Sequence, residues 1–432
     1  MIKSMYFLIV FIAGSLSCLT AIGKTDFEKQ IESLPGVVSV EKIESHSFFK
    51  ETYEIMFEQF LDHENKSSGT FNQRIILSLY STYSPVVYVT EGYSAAYAEK
   101  GMHLNELSRI IQANQIIVEH RYFGESVPGI DSWEFLNIEQ AVADLHRIYS
   151  TFNKIFTTKW IATGISKGGQ NTIAYKAFYP NDMDGWVAYV GPVNFAIEDR
   201  RMQRFLRRVG TDECRDKIEN FQTLVLENRE SILPKLDSLI HSKEYTFSIP
   251  VGQVLDYCVL EYSFAFWQWG HNCASIPKAD ANYNDIFSHL IKVSRPDYFS
   301  IEGSKKYEPF FVQAANDFGY YGYSTWKFRK LLDIKNAKGY IYDVFLEGEP
   351  EFKYSNRTSK FIKRSIQKDG ENLILIYGEN DPWTAAGIEP KRRSKANLFV
   401  MPEGSHAVRI DSMSYEMQGE IYKLLEDFLG LN

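Results

Sequence analysis

Cysteine is scarce in this sequence: four residues in 432, at positions 18, 214, 258 and 273. So low a count excludes a disulfide-stapled scaffold and the paired spacings of a structural zinc site. No H-E-x-x-H, P-loop or G-x-G-x-x-G pattern occurs, so nothing in the sequence calls for a metal, nucleotide or dinucleotide, and no cofactor is expected. Basic residues are outnumbered, 47 against 55, for a net charge of −8. That balance argues against a nucleic-acid partner. Beyond the N-terminus no run of about 20 apolar residues occurs, so no membrane span is expected in the mature chain. Internal repeats and low-complexity tracts are also lacking.

What is present suits a packed protein. Hydrophobic residues make up 44% and charged residues 24%, which supports a sizeable core and excludes disorder. Aromatics reach 15%, enough to line surfaces as well as fill a core. The N-terminus reads Met1-Ile2-Lys3, then an apolar run over 5–19, then Ala21-Ile22-Gly23. A charged start, a short apolar run and a small-x-small site predict a signal peptide over 1–23 and a secreted or periplasmic protein. The run is broken by Gly14, Ser15 and Ser17, unlike a transmembrane anchor. A lipoprotein anchored through Cys18 is the lesser alternative, because Ser15-Leu16-Ser17 fits a lipobox poorly. Cys214, Cys258 and Cys273 remain after cleavage. They leave either one disulfide and a free thiol or three thiols, and spacing does not choose the pair.

Apolar runs over 85–90, 115–120, 160–163 and 185–190 read as buried strands. Strands are also expected over 53–60 and 74–80, after a lead-in strand and loop over 24–50. Helices fall between them over 104–112, from a cap at Asn137, and over 171–179, where Pro180 stops the last. The spacing of Asn137 and Gln140 suits a capping box. This alternation ceases near 196. Amphipathic stretches over 215–227 and 230–241 and an aromatic run over 257–269 predict a mainly helical insertion. Strands return at 372–377 and 397–401. A final helix over 412–429 sets Met413, Met417, Ile421, Leu424 and Phe428 on one side. The pattern predicts an α/β fold with a mostly parallel sheet covered on both faces. Its core is expected from 24–195 and 343–432, and a helical cap from 196–342.

Gly164-Ile165-Ser166-Lys167-Gly168 fits G-x-S-x-G, the nucleophile elbow of an α/β-hydrolase. A serine on a sharp strand-to-helix turn has a strained backbone, so its neighbours two residues away must lack side chains. The following helix aims its first amides at the serine, which favours a developing anion. Such a serine needs a base and an orienting acid on loops after late strands, the acid first. Asp381 follows the strand over 372–377, with Glu379 as runner-up. His406 follows the strand over 397–401 and is the only histidine in the last hundred residues. The expected roles are proton transfer by His406 and orientation of its imidazole by Asp381. The oxyanion donors are expected to be the Lys167 amide and the amide of Gly92 or Tyr93. The Lys167 side chain is expected in solvent.

With these residues placed, the chain resembles the secreted bacterial prolyl tripeptidyl aminopeptidases, family thirty-seven of the serine peptidases. It is more distantly similar to the lysosomal prolyl carboxypeptidase and dipeptidyl peptidase group. The stretches that carry the resemblance are Phe60-Leu61-Asp62-His63, Gly69-Thr70-Phe71-Asn72-Gln73-Arg74 and Thr90-Glu91-Gly92-Tyr93. Further on come Val118-Glu119-His120-Arg121-Tyr122-Phe123-Gly124-Glu125-Ser126, the elbow, Phe264-Ala265-Phe266-Trp267-Gln268-Trp269 and Tyr377-Gly378-Glu379-Asn380-Asp381-Pro382-Trp383. The resemblance implies an α/β-hydrolase with a helical cap, a Ser-Asp-His triad, and release of short peptides from free N-termini with proline before the cut. Around His406 it is thin, and that assignment rests on strand order. His120 and Arg121 are expected to structure the loop beside the site.

An exopeptidase that reads a free amine needs a carboxylate at the end of its cleft. Glu261 is a lone acid in the apolar run 259–266, although a solvent-facing position on an amphipathic helix is the reading its neighbours favour. Glu91 and Glu119 are rivals. Trp267, Trp269 and Phe266 are candidates for stacking on a proline ring, or else for the cap's own core. Two other classes stay open: a lipase or carboxylesterase with the same triad, and a binding protein that has lost catalysis.

Overall fold

The computed structural model describes residues 24–346 and 353–431. The expected signal peptide and Cys18 lie outside the described residues. Among those, nine strands form one sheet: β1 (Val37–Ile43), β2 (Glu51–Phe60), β3 (Thr70–Leu79), β4 (Val86–Thr90), β5 (Asn114–Val118), β6 (Trp160–Ile165), β7 (Gly185–Tyr189), β8 (Leu373–Gly378) and β9 (Asn397–Met401). Their order across the sheet is β1-β2-β3-β5-β4-β6-β7-β8-β9. The first three strands and β5 pair antiparallel. From β5 to β9 every pairing is parallel. Strands β4, β5, β7 and β8 are buried at every position. That burial on both faces is why they read as unbroken apolar runs rather than as alternations.

Helices cover both faces. On one side α1 (Asp26–Glu32), α3 (Ile138–Phe152), α4 (Lys167–Phe178) and α13 (Arg357–Lys368) pack Ile31, Val142, Ile173 and Ile362 against Tyr53, Ile75, Tyr88 and Leu375. On the other, α2 (Glu106–Ile110) and α14 (Tyr415–Leu429) pack Leu107, Ile421 and Phe428 against Val87, Val187 and Ile376. This is an α/β-hydrolase fold. The lead-in segment differs from expectation. Its first turn is helical because Thr25 Oγ1 caps the Glu28 amide at 3.1 Å. In α14 it is Leu425, not Leu424, that is buried beside Ile421 and Phe428.

Between β7 and β8 no strand occurs among the described residues. Among the described residues eight helices precede α13 there: α5 (Arg200–Leu206), α6 (Asp212–Glu227), α7 (Arg229–Lys243), α8 (Val251–Gln268), α9 (Tyr283–Val293), α10 (Ile301–Lys306), α11 (Glu308–Gln313) and α12 (Tyr340–Val344). A π-helical turn, Ala314–Phe318, follows α11. These elements share a core that includes Phe221, Val254, Leu255, Phe266, Ile286, Phe311 and Tyr340. Helix α8 is apolar nearly all round and buried along most of its length. Such a helix lies at the centre of its bundle, not on its surface.

Candidate active site

Strands β4, β6, β8 and β9 run the same way, so their C-terminal ends open on one edge of the sheet. Open α/β sheets bind ligands at that edge. The loops leaving these four ends carry Gly92, Ser166, Asp381 and His406. Ser166 has φ 57° and ψ −120° and caps α4. Its backbone N–H donates to Tyr189 O and its carbonyl accepts from Gln170 N, both at 2.9 Å. The helix therefore starts at Lys167, four residues before the expected 171, because the serine itself is the cap. A Cβ on Gly164 would lie 2.3 Å from Gly168 O, and one on Gly168 would lie 2.6 Å from Thr90 O. Only hydrogen fits at these two places, which is the local reason for the G-x-S-x-G spelling.

His406 and Asp381 are joined directly: Nδ1 lies 2.7 Å from Asp381 Oδ2, and both side chains are buried. The other carboxylate oxygen accepts from Trp383 N at 3.1 Å. With Nδ1–H engaged, the second ring nitrogen, Nε2, carries the lone pair. The helical segment between β7 and β8 also holds the histidine. His406 N donates to Gln268 O at 2.9 Å, at the end of α8. The exposed Trp269 ring stands edge-on to the imidazole, 6.0 Å between centroids. Among the described residues no hydrogen bond joins the Ser166 hydroxyl to His406. In free enzymes such bonds are often long and close only around substrate.

Gly92 lies against the elbow so closely that a Cβ would be 2.6 Å from Lys167 Cβ and 2.8 Å from Gly168 N. The Lys167 side chain is not in solvent, contrary to expectation. It is 1% exposed, and its ammonium donates to Gly92 O at 2.8 Å. It also faces the rings of Tyr93 and Phe123 at 5.7 and 5.5 Å. Burial pushes its pKa well below the usual lysine range, against the opposing pull of Asp317 and Glu91. Those two acids answer in the other direction. Burial raises the Asp317 carboxyl to about 7. Burial also raises Glu91, while a hydrogen bond from Tyr97 opposes the shift.

Glu261 is buried in α8, which corrects the solvent-facing expectation. Its Oε2 accepts from Tyr321 and Tyr323 hydroxyls at 2.9 and 2.8 Å. Burial raises its pKa to about 7, with the two tyrosines pulling the other way. The Tyr321 ring stacks on Phe264 at 3.8 Å. Trp383, two residues past Asp381, meets both rings at 5.4 Å. Glu261 thus has an aromatic surround that reaches the loop of Asp381. Trp267 is packed among the helices between β7 and β8, against Phe266 and Gly210.

The sequence matches the model of the PS-10 peptidase S37 family over residues 22–413. The chain belongs to the S37 family of serine peptidases. Over 405 residues it is 29% identical to the prolyl tri/tetrapeptidyl aminopeptidase of Streptomyces mobaraensis, covering 90% of this chain and 81% of that one. The human lysosomal Pro-X carboxypeptidase is 21% identical over 448 residues, covering 90% and 87%. Among solved structures, the proline iminopeptidase of Mycobacterium smegmatis aligns with 91% of this chain at 10% identity and TM-score 0.38, over 100% of its own length. Carboxyl esterase 2 of Tuber melanosporum aligns with 94% at 11% identity and TM-score 0.40, over 96% of its own length.

In this S37 peptidase the stretches that carry the family resemblance mostly tie the site's supports together. Glu119 is saturated: it takes Arg74 and Ser94 side chains and the Ala95 amide on Oε1, and the Glu125 amide and Ser126 hydroxyl on Oε2. Arg121 forks onto Asp144 at 2.7 Å twice and holds the carbonyls of Phe60, Leu61 and Phe135. His63 joins the same Asp144 at 2.7 Å. His120 Nδ1 meets Arg121 O at 2.7 Å, and burial lowers its pKa well below the usual range. The capping box at Asn137 is half formed. Asn137 Oδ1 accepts from the Gln140 amide, but the Gln140 side chain turns to His63 N and Asp62. Cys214 pairs with Cys273, and Cys258 is a buried free thiol. Asp144, Tyr321 and Tyr323 had no signal in the sequence. Each becomes recognisable only through a partner at least 23 residues away.

Proposed function

We propose that this peptidase removes short peptides, proline last, from free N-termini through a Ser166–His406–Asp381 triad and an acyl-enzyme. The observation that carries the reading is the buried 2.7 Å His406–Asp381 bond, at the same sheet edge as a serine with φ 57°. His406 Nε2 takes the Ser166 proton as Oγ bonds to the carbonyl carbon. The imidazolium, stabilised by Asp381, then protonates the departing amine as the C–N bond breaks. Water repeats the sequence and frees the acyl peptide. The Lys167 amide and that of Gly92 or Tyr93 hold the oxyanion. Residues 196–342 act as the cap that admits only a chain end, over a core of 24–195 and 343–432. Glu261 receives the substrate ammonium, with Glu91 as the alternative, and the aromatic surround and Trp269 contact the apolar residues. Trp267, inside the cap core, acts by supporting this wall. Export through the 1–23 signal peptide places the enzyme outside the cytoplasm.

The test is a matched pair of peptides, free and N-acetylated, each with proline third, followed by mass spectrometry of the products. Cleavage of the free peptide after proline supports the proposal. Equal cleavage of both, or activity on esters but not peptides, refutes it. Ser166→Ala serves as the control, with an expected loss on the order of a million-fold.

A further inference from the structure

We infer that the Lys167 side chain is a positioning residue for the oxyanion site, acting through the Gly92–Tyr93 peptide plane. This rests on the reading of Ser166 as nucleophile. A peptide unit is planar, and no cis bond occurs among the described residues. In a trans unit the carbonyl of one residue and the N–H of the next point opposite ways. Lys167 Nζ grips Gly92 O at 2.8 Å, so it fixes where the Tyr93 N–H points. That N–H has no acceptor among the described hydrogen bonds, whereas the Gly92 N–H faces the Glu91 carboxylate. The donor is therefore Tyr93 rather than Gly92. The lysine itself cannot drift. Its stem is wedged against Gly92, with no room there for a Cβ, and its head is shelved on the rings of Tyr93 and Phe123. A neutral amine still donates, so the grip does not depend on charge. One side chain thus ties the amide after the nucleophile, its own, to the amide across the site.

Lys167→Met tests this against Lys167→Gln, which keeps an N–H donor. Loss of one oxyanion donor costs about 100- to 1,000-fold in kcat, and a misaimed donor sets an expectation of ~10- to 100-fold for Lys167→Met. KM stays within about three-fold, and a peptide boronate ending in boroproline, which makes the tetrahedral adduct, weakens by the same factor as kcat. A dipeptidyl-pyrrolidine, whose ring replaces the terminal proline and carries neither carbonyl nor carboxylate, keeps its Kd. Lys167→Gln retains more kcat than Lys167→Met. Unchanged kcat in Lys167→Met overturns the inference, as does an equal loss of boronate and pyrrolidine binding. Should Lys167→Met fail to fold, the ratio of boronate to pyrrolidine affinity in Lys167→Gln decides. Activity in Ser166→Ala would instead bring down the nucleophile reading, whatever Lys167 does.

A second observation lies outside the triad, and its reading rests on the proposed peptidase activity. An open cleft of about 610 Å³ is lined by Arg201, Arg204, Arg207 and Arg208, with Phe205 and Ala385. In a chain of net charge −8, this concentration of guanidinium is unusual. Arg201 is engaged by Asp199 and Val193 O. Arg204, Arg207 and Arg208 have no carboxylate at ion-pair distance among the described residues. Ala385 belongs to the turn Pro382–Ala386, which Asp381 caps. The geometry points to a site for the carboxylates of an acidic peptide substrate, beside the loop of the catalytic acid. Matched peptides differing only in Glu or Gln beyond the cut test it. Ten-fold higher kcat/KM for the Glu peptide is expected, shrinking with salt and lost in R204E/R207E/R208E while the Gln peptide is cut as before. No preference, or one that survives the charge reversal, overturns it.

Discussion

Glu261→Gln removes one charge and keeps the shape and both tyrosine contacts. In the free enzyme burial holds this carboxyl at about 7 against an ordinary 4.5. The difference of about 2.5 units, at about 1.4 kcal/mol each, sets the cost of ionising it there at ~3 kcal/mol. A substrate ammonium beside it offsets that cost. Removing one member of a buried charge pair costs about 2–5 kcal/mol, which is roughly 30- to 5,000-fold in affinity. The assay is calorimetric binding of the tripeptide product in a Ser166→Ala background, so that His406 chemistry does not enter. The free-amine tripeptide is expected to lose at least 30-fold on Glu261→Gln, and the N-acetylated tripeptide to change little. With Glu261 present, affinity rises as pH climbs through about 7 and falls again as the peptide amine, near 8, loses its proton. With Gln in its place the acid limb vanishes. Stability moves the other way. A carboxyl raised above its unfolded value contributes stability that is complete below about 4.5 and lost as pH rises through about 7. At pH 8 the Gln variant therefore melts higher than the parent. Equal losses for free and acetylated peptides, or a lower melting point at pH 8, would refute the reasoning.

Gly164→Ala forces a methyl to within 2.3 Å of Gly168 O. Such overpacking costs about 1–3 kcal/mol. Turnover should fall with it, and parent-like kcat and melting would show the elbow is not tight. Asp381→Asn leaves His406 without its acceptor, and kcat should drop on the order of 10⁴-fold, read as slowed fluorophosphonate labelling of Ser166. Reduction of Cys214–Cys273, which spans 59 residues, should cost up to ~4 kcal/mol of stability, read as a lower melting point in dithiothreitol. Native protein should resist alkylation at Cys258, which is buried with its thiol pKa pushed up, and an immediate reaction would contradict that burial.

Much of the frame was written locally. Strands β4, β6, β7 and β8 are buried on both faces, and burial on both faces demands a continuous apolar run, which one segment displays unaided. The elbow was legible for the same reason, since clashes within five residues and one neighbouring strand dictate its glycines. Asp381 and His406 were legible through strand order, because parallel strands deliver successive loops to one edge. The fate of the remaining acids and bases was not. Glu119, Glu91 and Glu261 are the same residue to a sequence reader. Arg74 and four other donors occupy the first, Tyr97 binds the second, and two tyrosines some 60 residues away surround the third. Lys167 looked solvent-facing because a lysine on a tight turn ordinarily is, and the approach of Gly92, 75 residues earlier, with the rings of Tyr93 and Phe123, buries it. The sequence by itself determined which segments form the sheet and where the chain turns sharply at Ser166, because those choices rest on short-range sterics and burial periodicity. The tertiary structure alone decided which titratable groups are saturated, which are paired and which cysteines bond. Those outcomes depend on partners brought from far along the chain into a medium where an unpaired charge is costly.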